Sequence, residues 1–127
     1  MNATLERTDA RRVAREVLQI EADAIQRLME SLDERFEHAV EAILRCEGRV
    51  ILSGVGKSGA IARKLAGTFS STGAPAIFLH PTEAAHGDLG TITAQDVAIL
   101  LSFRGESDEL TLLCPALKRL QVFTMVF

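Results

Sequence analysis

Four short apolar runs restrict this chain more than any other feature. They are Arg49-Val-Ile-Leu-Ser53, Ala76-Ile-Phe-Leu79, Val97-Ala-Ile-Leu-Leu101 and Val122-Phe-Thr-Met-Val-Phe127. Runs of this length and largely apolar character, the first bounded by glycines and the second introduced by Gly73 and Pro75, read as strands buried in a parallel sheet. Ser58 to Ser71, with Ile61, Leu65, Ala66 and Phe69 on one side, and Ser107 to Leu120, with Leu110, Leu113, Ala116 and Leu117 inward, have helical spacing. Strands alternating with single helices imply βαβ units with right-handed crossovers. Ligands of such folds sit at the carboxyl ends of the strands. Three loops then share one rim: Ser53–Gly59, His80–Gly90 and Ser102–Ser107.

The first third of the chain follows a different grammar. From Thr8 to Met29, Ala10, Val13, Ala14, Val17, Ala24 and Leu28 recur at helical spacing, with Ile20 or Glu21 between, while Arg and Glu fill the other faces. Ser31-Leu-Asp-Glu34 matches a capping box, so a second helix is expected from about Leu32, carrying Phe36, Val40, Ile43 and Leu44 inward. Gly48 is expected to end it by adopting positive φ. The division expected is a helical hairpin over 1–47 and an α/β domain over 48–127. With no helix after the fourth run to cover the second face of the sheet, the α/β domain is expected to be incomplete at its C-terminus, as in a fragment or a truncated reading frame.

Composition removes several function classes. The net charge is −3 and the sequence pI about 5.6, whereas a nucleic-acid surface needs a basic excess. There is no Trp or Tyr to stack bases on. No apolar run approaches the ~20 residues of a membrane span, and the N-terminus has no signal-peptide core, so a cytoplasmic chain without membrane contact is expected. The two cysteines, Cys46 and Cys114, have no metal-ligand spacing, and three histidines without paired spacing give no metal site.

The glycine loop Ser53-Gly-Val-Gly-Lys-Ser-Gly59 is the first candidate site. A Walker A loop is rejected, because its first glycine would fall on Ile51. Gly54, Gly56 and Gly59 fit the dinucleotide fingerprint, but the acidic partner is missing: the second strand ends Leu79-His80-Pro81. Two readings remain. Backbone N–H groups with Ser53, Lys57 and Ser58 hold one phosphate or a sugar's hydroxyls, or the glycines only let helix and strand pack closely.

The second loop gathers Glu83, His86 and Asp88. His86 is a candidate acid or base, or it merely bonds a turn. His80, before a proline, has less claim, and His38 lies mid-helix on the surface. In the third loop Ser107 is a natural N-cap. Asp108 and Glu109 in the following first turn complement the helix dipole, or Glu109 points into the rim as a catalytic carboxylate.

In order and spacing, GVGKSG, FSSTG, HP-x-EA-x-HGDLG and GES-x-E resemble the sugar isomerase (SIS) domain, most closely the arabinose 5-phosphate isomerases of bacterial Kdo, lipopolysaccharide and capsule biosynthesis. The resemblance runs from Gly48 to Leu120, and the two N-terminal helices agree with it. It implies a three-layer, flavodoxin-like parallel-sheet domain and interconversion of D-arabinose 5-phosphate and D-ribulose 5-phosphate through an enediol, without a redox cofactor. It implies Lys57, His86 and Glu109 as catalytic residues. Ser53, Gly54, Gly56, Ser58, Ser102, Arg104 and Ser107 are implied around the sugar phosphate. It also implies a homo-oligomer, a tetramer in the family. Two departures stand out. The family's phosphate loop usually reads Ser-x-Ser-Gly-x-Ser/Thr, and here Phe103 and Arg104 interrupt it; Arg104 either pairs with phosphate or fills the pocket. The family's further sheet, its later catalytic histidine and its frequent CBS domains have no counterpart up to Phe127. A regulatory domain that binds a sugar phosphate without turnover, or an inactive fragment, is the alternative.

Overall fold

The computed structural model describes residues 7–105 and 107–127. Two long helices come first, α1 (Arg7–Ser31) and α2 (Glu34–Leu44). An α/β succession follows: β1 (Val50–Gly54), α3 (Gly56–Ser71), β2 (Ala76–Phe78), the short α4 (Pro81–Ala85), a 3-10 turn (Asp88–Thr91), β3 (Val97–Leu101), α5 (Asp108–Arg119) and β4 (Phe123–Val126). The chain divides into two compact units, with the boundary between Glu37 and His38.

All strand pairs are parallel and the order is β2-β1-β3-β4. The α/β domain expected from the sequence is therefore present. Two apolar layers sandwich the sheet. Val50, Leu52, Val97, Ile99 and Met125 meet Ala39 of α2 and Ala62 and Ala66 of α3 on one face. Ile51, Ala98 and Leu100 meet Ala84, Leu110, Leu113 and Leu117 on the other. Each leucine of α5 so buried contributes on the order of 1.5–3 kcal/mol.

Several local expectations are corrected. Ser31 does not cap α2; its hydroxyl donates back to the Leu28 carbonyl at 2.8 Å. Asp33 takes that place, since its carboxylate accepts the Arg35 N–H at 3.0 Å, as an N-cap does for the second helical residue. The Arg35 side chain bonds the same carboxylate and holds it below the usual carboxylate range. Because that pKa is depressed, the small contribution of this exposed pair is present near neutrality and lost as acid protonates Asp33.

The inward stripe of α2 is Ala39 and Ile43, with Cys46 following just beyond the helix, one helical row away from Phe36, Val40 and Leu44, which are exposed. A small residue at 39 lets the helix lie close to the sheet, and proximity decided over residue size. Likewise Ile61 is exposed on α3, where Gly59, Ala62 and Ala66 face inward. The apolar residues Val13, Val17, Ile20 and Leu28 of α1 are exposed as well.

Gly48 does not end α2, which stops at Leu44, and it does not have positive φ. Its smallness serves a close approach instead. A Cβ there would lie 2.9 Å from the Gln95 carbonyl and collide with the Asp96 carboxylate. Asp96 is buried and accepts the N–H groups of Arg49 and Thr93, each at 2.7 Å. It thereby joins the amino ends of β1 and β3. The loop expected over 80–90 is more regular than its composition suggested, because His80 and Pro81 start the single-turn α4. Among the described residues no helix is long and apolar enough to cross a membrane.

The decisive contact of the α/β unit is between α3 and β1. A Cβ on Gly59 would sit 2.6 Å from the Gly54 carbonyl oxygen, so only glycine lets α3 reach the strand. Gly59→Ala is expected to cost about 1–3 kcal/mol in chemical denaturation, the penalty of overpacking against backbone. At the other end of the fold α5 stops in a Schellman motif. Val122 N–H donates to Leu117 O and Gln121 N–H to Lys118 O, with Gln121 at φ 59°. Gln121→Gly is expected to raise stability by about 0.5–1 kcal/mol, read from the denaturation midpoint, because a side chain in that region is strained.

Candidate functional site

The sheet order reverses between β1 and β3: β1 connects outward to β2 through α3, and β3 outward to β4 through α5. A parallel sheet opens a crevice at such a point, beyond the carboxyl ends of the two central strands. Gly54 of β1 is in register with Leu101 of β3, so the glycine turn and the 102–107 loop leave the sheet side by side. α4 lies over α5 through Ala84, which shares a core layer with Leu110 and Leu113, and His86 follows α4 directly. The three predicted loops thus belong to one rim.

The glycine loop serves both of its readings. Gly54 and Gly59 are explained by the close packing of α3 on β1, and Gly56, at φ 57°, by the turn into the helix. The same turn leaves the first N–H groups of α3 without intrahelical acceptors. That first turn contains Lys57 and no acidic residue, so its positive end is not offset locally. The start of α5 differs, since Asp108 and Glu109 occupy its first turn.

Lys57, His86 and Glu109 are all exposed, as are Gly56 and Arg104, while Ser58 is half-buried. Among the described residues no hydrogen bond or ion pair joins Lys57, His86 and Glu109 to one another. Ser102 and Ser107 do come together, with hydroxyls 3.1 Å apart. Ser102 also accepts the Gly105 N–H at 3.0 Å, which folds the loop around its oxygen. Ser107 stands at the N-cap position of α5, yet its hydroxyl bonds Ser102 rather than the helix. Phe103 is 95% exposed, so neither it nor the exposed Arg104 fills a pocket.

Two predicted ligand residues are corrected. Ser53 is fully buried inside β1 and donates its hydroxyl to the Leu79 carbonyl at 2.7 Å. Gly54 is also buried in the strand, closed in by Gly59 and the Leu101 carbonyl. Neither presents a group to the rim. His80, given less claim than His86 in the sequence, has a structural role: its Nδ1 accepts the Thr82 N–H at 3.3 Å and caps α4. The signal was available: a polar residue directly before a proline is a common helix start. The Arg63 guanidinium lies 4.0 Å over the ring of Phe78, the last residue of β2.

A cleft of about 360 Å³ opens at the opposite rim, by Arg45, Gln95, Gln121 and Phe123. It contains none of the predicted residues and lies at the amino ends of the strands, away from the glycine turn. Among the described residues no three His, Cys, Asp or Glu side chains converge as metal ligands.

Comparison with known proteins agrees with this geometry. The family model described as SIS domain matches residues 43–127. Arabinose 5-phosphate isomerase KdsD of Shigella flexneri is 50% identical over 114 residues, which are 90% of this chain and 35% of that protein. The chain thus spans about a third of the length of the curated relatives it matches. The structure of Escherichia coli CFT073 c3406 in complex with arabinose 5-phosphate superposes with a TM-score of 0.87 at 40% identity, covering 100% of this chain and 65% of that one. The sugar isomerase domain of an RpiR transcription factor from Sphaerobacter thermophilus superposes at 0.65 with 30% identity, covering 86% of this chain and 63% of that one. A parallel sheet that reverses order at a glycine turn, matched along 43–127, makes this chain a member of the SIS domain family.

Proposed function

We propose that this chain carries the site of an aldose–ketose isomerase that interconverts D-arabinose 5-phosphate and D-ribulose 5-phosphate. The observation that carries the reading is the 50% identity to arabinose 5-phosphate isomerases over 90% of the chain. Lys57 in the first turn of α3, His86 just after α4 and Glu109 in the first turn of α5 supply the groups the chemistry needs.

Glu109 removes the C2 proton of the open-chain aldose as its carboxylate and returns it to C1. The electron pair left at C2 forms the C1–C2 double bond, and the negative charge develops on O1 beside the Lys57 ammonium. His86 opens the sugar ring or carries the proton from O2 to O1, leaving a carbonyl at C2 and a hydroxymethyl group at C1. No electrons leave the substrate, so the step needs no redox cofactor. The phosphate is held by the first turn of α3 with Ser58, and by the hydroxyls of Ser102 and Ser107, with Arg104 adding charge. The same reading places the chain in the cytoplasm, in the supply of Kdo for lipopolysaccharide, and in a homo-oligomer. The exposed apolar residues of α1 are consistent with association.

A second reading is sugar-phosphate binding without turnover. The interrupted Ser102–Ser107 loop and the likeness to a transcription factor's sugar isomerase domain favour it.

Proton NMR of arabinose 5-phosphate in D2O separates the two. Loss of the C2 proton signal with growth of ribulose 5-phosphate is the expected result. Glu109→Gln is expected to slow it by at least about 100-fold, the scale of a lost proton-transfer group. An unchanged spectrum with folded protein overturns the isomerase reading. Saturable shifts of the sugar resonances would then support the second.

A further inference from the structure

We infer that Ser53 is a positioning residue that fixes the Lys57 turn and the His86 segment relative to each other, an inference that rests on the isomerase reading above. β2 has only three residues, and its ladder with β1 ends where Leu52 faces Phe78. One bond follows, from the Leu79 N–H to the Leu52 carbonyl at 2.9 Å. In a continuing parallel ladder the Leu79 carbonyl would next accept from the backbone of β1, at Gly54. Here it accepts the Ser53 hydroxyl at 2.7 Å. A side chain takes over where the ladder stops, at the residue where β2 turns away toward α4.

The surroundings make that bond the reason for a hydroxyl. Ser53 alternates with Leu52 and so shares the face of Ile51, where Leu79, Ala84 and Leu100 form an apolar layer. Alanine would suit that layer equally well. A fully buried hydroxyl is favourable there only through its partner, and the Leu79 carbonyl needs a donor just as much.

Both rim segments start from this point. Upstream, Ser53 is followed by Gly54, which α3 contacts through Gly59, and Lys57 lies on the first turn of that helix. Downstream, Leu79 leads to the His80 cap, the buried Pro81 and Ala84, and then His86. One hydroxyl therefore pins the root of the histidine segment to the root of the lysine turn. It touches no substrate and acts through both.

Ser53→Ala removes the tie with little change in volume, and Ser53→Thr restores a hydroxyl. With arabinose 5-phosphate, Ser53→Ala is expected to lower kcat by about 10-fold or more and to change KM by less than about twofold, because a shift of order 1 Å in a reacting group is costly. Ser53→Thr is expected to recover part of kcat. Amide hydrogen exchange is expected to quicken in Ser53→Ala at residues 82–86 while β1 and α3 keep their protection. A kcat equal to the parent's overturns the proposal. So does a loss that merely follows a lower folded fraction, with exchange raised throughout. Should the parent chain turn over no arabinose 5-phosphate, the isomerase reading fails by itself. Exchange then decides the tie: selective quickening at 82–86 supports it, and unchanged exchange overturns it.

Discussion

The α/β unit depends on one backbone contact, the approach of α3 to the end of β1. Two glycines facing each other across that contact remove the side chains that would hold the helix farther from the sheet, and the Gly54 carbonyl lies where a Cβ of residue 59 would be. The glycine turn is consequently short, and the amino end of α3 is held directly above the central strands. Gly54 is also in register with Leu101, so the 102–107 loop begins beside that contact. The position of the rim is a consequence of packing before it is a matter of ligand chemistry.

Chemistry occupies what packing leaves open. The first turn of α3 offers N–H groups and a lysine without a local carboxylate. The first turn of α5 offers two carboxylates, which already offset its own helix dipole. The two helix ends that face the crevice therefore differ in charge, basic at α3 and acidic at α5.

Much of this was legible in the sequence, for identifiable reasons. The strands were legible because a central parallel strand is apolar on both faces, and α5 because its leucine row coincides with its buried row. Leu65, Ala66 and Phe69 of α3 and Ile43 of α2 pack inward as read, but Ile61, Phe36, Val40 and Leu44 do not, because a small residue, Gly59, Ala62 or Ala39, wins the interior beside them; a pattern of large apolar residues cannot register that. Ser53 was misread for a related reason. A serine beside a glycine turn has the same letter whether its hydroxyl faces a ligand or a strand carbonyl, and only the early end of β2 decides which. His80 was undervalued because its partner is a backbone N–H two residues away.

At the amino rim, the crowding around Gly48 links two distant positions of the chain. Any side chain at 48 must displace the Asp96 carboxylate, and displacing that carboxylate strands the N–H groups of Arg49 and Thr93. Shortening residue 96 leaves the Gln95 backbone in the way and removes the acceptor just as surely. A substitution at either position therefore costs the bonds that join the amino ends of β1 and β3. The least conspicuous glycine in the chain thus carries a constraint as strict as those in the loop that first draws the eye.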